Sequence, residues 1–257
     1  MSSPAAVTVG GRAIEVRDLP GTRDGAPLVL LHEGLGSVGL WREFPAQLQA
    51  ATGRRLIVFS RYGHGRSAPP PHRRTPAFFH EEALEVLPEL LSALDVSEPV
   101  LVGHSDGASI GLIHAAHHPV TALVLLAPHV FVEDICVTAI RGTRETFVNG
   151  ELRARMARHH DDPDAAFWGW CEVWLDPAFL DWSLDDEAGM VRAPTLLIQG
   201  ADDPYGTLAQ LDRIEARARG PVRRLVLDGG HSPHLEHGPP IAEAVAEFLS
   251  SSSTVRR

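Results

Sequence analysis

Only two cysteines, Cys136 and Cys171, occur in 257 residues, which excludes a disulfide framework. Both read as small buried hydrophobes. No stretch approaches the ~18 consecutive apolar residues that crossing a bilayer requires, and no N-terminal segment joins basic residues to an apolar run and a cleavage site. The expected location is therefore the cytoplasm, with no membrane partner. Basic charge is scarce as well: 23 Lys and Arg stand against 33 Asp and Glu, a formal net charge of -10 at pH 7. That balance argues against a nucleic-acid partner, because phosphate binding needs clustered cations. Arg54-Arg55 and Arg73-Arg74 are too short to reverse it and read as solvated surface charge. What is present is apolar side chain, 44% of residues, enough for the core of one large α/β domain.

Short runs rich in Val, Leu and Ile recur at Pro27 to Leu31, Leu56 to Phe59, Val100 to Val102, Ala122 to Leu126, Thr195 to Ile198 and Leu225 to Leu227. They read as buried strands, and the segments between them have helical spacing. This alternation predicts an α/β fold with a mostly parallel sheet flanked by helices. Ala6 to Val16, broken at Gly10-Gly11, predicts an antiparallel hairpin at one edge. Thr75-Pro76 opens a helical pattern through Phe79, Ala83, Leu87, Leu90 and Leu94, in which Pro88 predicts a kink or a break near Leu87. Between Pro128 and Ala193 the texture changes: Trp168, Trp170, Trp174 and Trp182 crowd together and no strand-like run appears. That segment predicts a helical cap over the strand ends, where ligands bind in open α/β sheets. The expected division is a core of residues 1–128 and 193–257 with a helical cap insertion at 129–192. Ser250 to Arg257 show no packing pattern and are expected to fray.

Directly after Pro99-Val100-Leu101-Val102 stands Gly103-His104-Ser105-Asp106-Gly107, followed by helical texture from Ala108 to Ile113. This is G-x-S-x-G in the strand-turn-helix context that the motif needs. The sharp turn strains the central residue and leaves no room for side chains at the flanking positions. Ser105 is therefore the candidate nucleophile. A serine hydroxyl is a weak nucleophile at neutral pH; it needs a general base, and the base needs an orienting carboxylate. His231 and Asp203 both follow strand-like runs, so both are expected at the same sheet edge as Ser105. Asp202 stands beside Asp203 as a second candidate, while Asp228 reads as a turn or helix-capping residue.

Four further segments occur in order with this pentapeptide: Leu30-Leu31-His32-Glu33-Gly34-Leu35-Gly36-Ser37, Ser60-Arg61-Tyr62-Gly63-His64-Gly65-Arg66-Ser67, Gly200-Ala201-Asp202-Asp203 and Gly229-Gly230-His231-Ser232-Pro233-His234. Together they resemble the α/β-hydrolase superfamily over nearly the whole chain. The resemblance implies that Asp203, three positions after Gly200, is the acid and His231 the base, in the chain order Ser, Asp, His. It also implies an oxyanion hole made by the backbone N–H groups of Asp106 and Gly34, or of Leu35 if the register slips by one. Glu33 departs from the pattern, since relatives more often carry glycine there. Either it packs outward or it recognises a cationic or hydroxyl-bearing substrate. Trp170, Trp174 and His129 are the candidate substrate-binding residues of the cap region.

The expected reaction is cleavage of a carboxylic ester or lactone through an acyl-enzyme on Ser105, with no cofactor and no metal. His231, His234 and His237 are spaced by three, yet Pro233 and Gly238-Pro239-Pro240 break any helix that would align them as ligands. Carbon–carbon bond hydrolysis and cofactor-free perhydrolysis use similar residues in this superfamily and stand as alternatives. Outside catalysis the alternative is a ligand-binding receptor with residual hydrolysis. His32 to Trp41 and Pro128-His129-Val130-Phe131 resemble small bacterial hydrolases and serine-dependent macrolide esterases, which makes a macrolide-type lactone one substrate expectation.

Overall fold

The apolar runs become the centre of a sheet whose neighbours on both faces are helices. The computed structural model describes residues 4–254. Among the described residues the strands are β1 Ala5–Val9, β2 Arg12–Leu19, β3 Leu28–Leu31, β4 Leu56–Phe59, β5 Val100–His104, β6 Ala122–Leu126, β7 Thr195–Gly200 and β8 Val222–Leu227. Their order in the sheet is β1-β2-β4-β3-β5-β6-β7-β8. β2 pairs antiparallel with both β1 and β4, and every other pair is parallel. The fold is thus α/β with a mostly parallel sheet. Every residue of β3 to β7 is buried, which is why those runs are continuously apolar instead of alternating. Period-2 geometry still sorts them: Val29 and Leu31 join one core cluster and Leu28 and Leu30 the other, on opposite faces of the sheet.

Helix α1 Phe44–Thr52 and helix α11 Gly238–Thr254 pack on each other over one face. Over the other lie α4 Asp106–His117 and a continuous helical run made of α2 Phe78–Glu81, a π-helical stretch Glu82–Val86 and α3 Leu87–Ala93. Between β6 and β7 come α5 Asp134–Val148, α6 Glu151–Met156, α7 Pro163–Trp174, a 3-10 turn Pro177–Phe179 and α8 Asp185–Met190, joined by an isolated bridge between Phe131 and Ser183. α8 packs against α4 and against α9 Ala209–Arg217, and the short α10 Pro233–Glu236 leads into α11. No helix among the described residues is long and apolar enough to cross a membrane.

Four expectations are corrected. The kink or break near Leu87 is instead the π-helical stretch just before it. There the Leu87 N–H bonds the Glu82 carbonyl, and the widened turn leaves the Ala83 carbonyl to His114 Nδ1 at 2.8 Å. Pro88 then sits in the first turn of α3, where a missing N–H is tolerated. The last strand starts at Val222, not Leu225, because Arg223 and Arg224 occupy an edge strand that tolerates charge and so escape an apolar reading. α11 runs through Ser250 to Thr254, held by buried Ile241, Val245, Phe248 and Leu249, and the last three residues of the expected frayed end lie outside the described residues. Nor are the arginine pairs plain surface charge: Arg74 donates to the Tyr62 carbonyl at 2.6 Å, and Arg55 pairs with Asp18 at 2.6 Å.

The packing also determines how stability responds to acid. Burial pulls His114 down to about 4 and His129 down to about 3, and it lowers His32, His64, His160 and His234 as well. In the unfolded chain each titrates near 6.5. The unfolded state therefore binds more protons below that pH, so the stability these groups contribute is complete above about pH 6.5 and is lost as pH falls toward the folded values. At about 1.4 kcal/mol per pH unit, His114 alone forfeits roughly 2 kcal/mol between pH 6.5 and 5. Urea unfolding followed by tryptophan fluorescence should give a midpoint that drops steadily from pH 7.5 to pH 5. A midpoint equal or higher at pH 5 would contradict this account.

Candidate active site

The turn between β5 and α4 is built by what its glycines lack. A Cβ on Gly103 would lie 2.4 Å from the Gly107 carbonyl oxygen, and one on Gly107 would lie 2.0 Å from the Leu31 carbonyl oxygen. Side chains there would force strand and helix apart, so only glycine permits the approach. Ser105 between them has φ 53 and ψ -120, a region that residues with a Cβ rarely adopt. Its N–H bonds the Leu126 carbonyl at 2.9 Å and its own carbonyl receives Ala108 N–H at 2.8 Å, which holds the strained residue in place.

A second close approach brings the other loops in. A Cβ on Gly200 would meet the carbonyl oxygens of Gly229 and Gly230 at 2.3 Å, so the ends of β7 and β8 nearly touch. His231 Nε2 consequently stands 2.9 Å from Ser105 Oγ, and His231 Nδ1 stands 2.8 Å from Asp203 Oδ2 and 2.9 Å from Oδ1. Asp203 Oδ1 also accepts the Tyr205 N–H at 2.8 Å. Asp202 is exposed while its N–H bonds the Gly229 carbonyl, and Asp228 is exposed at the end of β8. Of the acidic candidates, the structure brings Asp203 alone to His231.

Electrostatics separate the partners. Burial tends to raise Asp203, but the hydrogen bond and charge of His231 and the Tyr205 N–H outweigh it, and its carboxyl lies below the ordinary value. Burial lowers His231 more than Asp203 raises it, so the imidazole is neutral at pH 7. Nδ1–H donates to the carboxylate, and Nε2 is left to accept the serine proton.

The space in front of Ser105 is a cavity of about 240 Å³, walled in part by Trp170, Trp174, Cys136, Ile140, Tyr205 and Glu33. Glu33 therefore faces the cavity instead of packing outward, and its Oε2 lies 3.5 Å from His104 Nδ1. Burial alone would raise its carboxyl; the contact with His104 outweighs that and holds it below the carboxylate range. Asp106 is pushed up to about 6 by burial, against the pull of Arg61 and of the Trp174 Nε1–H, which donates to Oδ1 at 3.1 Å. Gly34 and Leu35 are the central residues of a turn closed by Gly36 N–H on the Glu33 carbonyl, and Asp106 is the first residue of α4. The N–H groups of Gly34 and Asp106 have no protein acceptor among the described residues. His129 is buried with its ring 5.6 Å from that of His231 and 5.1 Å from that of Trp174.

Three contributors escaped the sequence reading. Tyr205 lays its ring 4.7 Å from His231 and ties the acid loop to α5 through Thr143 Oγ1 at 2.7 Å. His104 Nε2 holds the His231 carbonyl at 2.7 Å, and Cys136, read as a plain small hydrophobe, is on the cavity wall. The only signal for Tyr205 was its place two residues after the acid.

The two neighbouring aspartates give a direct test. Asp203→Asn should lower turnover by about 10⁴, by comparison with the loss of the orienting carboxylate in a serine protease triad. Asp202→Asn should leave turnover near normal and change stability by under ~0.5 kcal/mol. Steady-state kinetics on both folded variants read the difference, and collapse in the Asp202 variant alone would reverse it.

Comparisons with known proteins agree with this architecture. Residues 28–244 match the model of the Alpha/beta hydrolase family. Mouse (Mus musculus) serine hydrolase BPHL is 25% identical over 242 residues, covering 88% of this chain and 80% of its own. A putative carbamate hydrolase, RutD, from Caulobacter sp. is 25% identical over 257 residues, with 88% and 91% covered. The solved structure of the enol-lactonase from Burkholderia xenovorans superposes with a TM-score of 0.77 at 20% identity, covering 96% of this chain and all 100% of that one. With most of its length inside the family match and the sheet, elbow and loops arranged as described, the chain belongs to the alpha/beta hydrolase family.

Proposed function

We propose that the protein is a serine-dependent hydrolase of carboxylic esters, lactones included, working through an acyl-enzyme on Ser105. The observation that carries this reading is the chain of contacts from Ser105 Oγ through His231 to Asp203, at 2.9 and 2.8 Å, opening on a cavity. His231 Nε2 takes the Ser105 proton as Oγ attacks the carbonyl carbon. The resulting oxyanion meets the free N–H groups of Gly34 and Asp106. His231 then returns the proton to the leaving alcohol, and water repeats the sequence to release the carboxylic acid. Asp203 stays ionised throughout and holds the imidazole in the required tautomer.

The cavity suits a small acyl group, since its ~240 Å³ lies below the usual 300–1,000 Å³ of ligand pockets. Glu33 and Leu35 also border a second groove of about 300 Å³ lined by Leu40, Leu152 and Met156. A bulky alcohol, or the far side of a macrocyclic lactone, would lie there. The helices between β6 and β7 act as the cap in this reading, with Trp170 and Trp174 shaping the acyl side and His129 closing the floor. The names of the relatives, a serine hydrolase and an enol-lactonase, support the ester and lactone class.

A panel of 4-nitrophenyl esters from acetate to octanoate, simple lactones and a macrocyclic lactone tests the substrate range, with Ser105→Ala as control. Turnover should favour short acyl chains, and the folded Ser105→Ala protein should lose about 10³-fold or more. Full activity in that variant would exclude the acyl-enzyme. Because burial keeps His231 below 6.5, kcat/KM should hold its plateau through neutrality and fall to half at a pH under 6.5. An acidic limb centred above pH 7 would mean that another group is the base.

A further inference from the structure

The turn that carries Gly34 is gripped from behind. Four consecutive carbonyls each receive a donor from a buried side chain: His32 from Arg61 Nη1, Glu33 from Arg61 Nη2 at 2.9 Å, Gly34 from His64 Nε2 at 2.8 Å and Leu35 from His160 Nε2 at 2.9 Å. The Glu33 carbonyl is the most heavily loaded, because His32 Nδ1 at 2.6 Å and Gly36 N–H at 3.0 Å reach the same oxygen. The Arg61 N–H donates to His32 Nε2 at 3.0 Å, which leaves the His32 proton on Nδ1, so all three groups on the Glu33 oxygen are true donors.

Arg61 is 1% exposed and makes no direct ion pair among the described residues; its guanidinium spends its two paired nitrogens on carbonyls, and Nε has no partner. A buried cation without a paired carboxylate is an expensive element of a fold. The peptide it loads is the one whose N–H belongs to Gly34. In a planar trans peptide the carbonyl and the N–H point in opposite directions, so donors behind the Glu33 oxygen aim the Gly34 N–H forward. Hydrogen bonds to a carbonyl also polarise the peptide and strengthen its N–H as a donor.

We infer that Arg61 is a positioning residue for the hydrolysis proposed above: by binding the His32 and Glu33 carbonyls it orients and polarises the Glu33–Gly34 peptide, making Gly34 N–H an effective donor to the oxyanion. Arg61 also sets a positive charge against Asp106 and Glu33, whose carboxylates would otherwise oppose negative charge forming at that point. The inference rests on Ser105 being the nucleophile, and its test separates the two claims.

Arg61→Lys and Arg61→Met are compared with the unaltered protein, with active sites counted by exhaustive labelling with a fluorophosphonate. Per labelled site, kcat on 4-nitrophenyl acetate should fall roughly 10- to 100-fold in Arg61→Met with KM within about 3-fold, less than or equal to the loss of a whole oxyanion donor. Arg61→Lys, which keeps the charge but has a single donor nitrogen in place of the two that reach the His32 and Glu33 carbonyls, should fall between. Inhibition by a trifluoromethyl ketone, whose adduct places an oxyanion in the same position, should weaken by the same factor as kcat/KM. Normal kcat per labelled site, or a rise in KM at unchanged kcat, would overturn the inference while leaving Ser105 as nucleophile. Loss of structure in Arg61→Met leaves the lysine variant to decide, since both quantities are read on labelled, folded sites. Failure of the unaltered protein to label would remove the nucleophile and this inference together.

Discussion

Everything at this site depends on backbone running against backbone without side chains between. Gly107 lets α4 touch the Leu31 carbonyl, and Gly200 lets the end of β7 touch the Gly229 and Gly230 carbonyls. The first contact fixes Ser105 in a conformation that costs about 1–3 kcal/mol, and the second carries Asp203 and His231 to it. Neither loop could reach the other if any of these positions carried a Cβ. The strain at Ser105 is held by the fully buried strands on either side, so the stability of the sheet underwrites the geometry of the hydroxyl.

Charge is arranged around that frame in two layers. In front, the His231–Asp203 pair is partly desolvated and its tautomer is fixed by the carboxylate. Behind, carboxyl groups on Glu33 and Asp106 border the same cavity as Ser105; the charge of Arg61 acts on both of them and that of Arg74 on Asp106. His64 joins Arg74 to the Gly34 turn: Arg74 Nη2 donates to its Nδ1 at 3.0 Å, which leaves Nε2–H for the Gly34 carbonyl. A low-dielectric interior amplifies both the repulsion and its relief, so neither set of charges is interpretable alone.

How much of this was legible in the sequence follows from what kind of signal each feature leaves. The buried strands were legible because burial on both faces writes a continuous apolar run, whereas β8 was half hidden by Arg223 and Arg224. The placement of Ser105 was legible because its tight turn needs glycine at fixed offsets, and that of His231 and Asp203 through the resemblance of their loops to the α/β-hydrolase pattern. The π-helical stretch was not, since Pro88 announces only that something must change, and the free Ala83 carbonyl is taken by a histidine far along the chain. Arg61 stands in a recognisable loop, but its residue type and spacing carry no role. Its role depends on which carbonyls lie over it, and no spacing rule records that.

The tryptophans combine packing and lining in one side chain. Trp174 is 1% exposed, meets Phe79 and Phe179 edge-on at 6.0 and 5.1 Å, and still borders the cavity. Its Nε1–H reaches Asp106, itself a residue of the cavity wall, so the ring that fills the helical layer also touches the first turn of α4. Trp170 works the same way from the next turn of α7, its ring filling the space that a Cβ on Gly34 would need. Large aromatic rings serve such positions because one face can be spent on the core while an edge or a polar tip meets the site. The segment between β6 and β7 is thereby coupled to both free N–H groups, and any movement of α7 must change the cavity and the turn at Gly34 together.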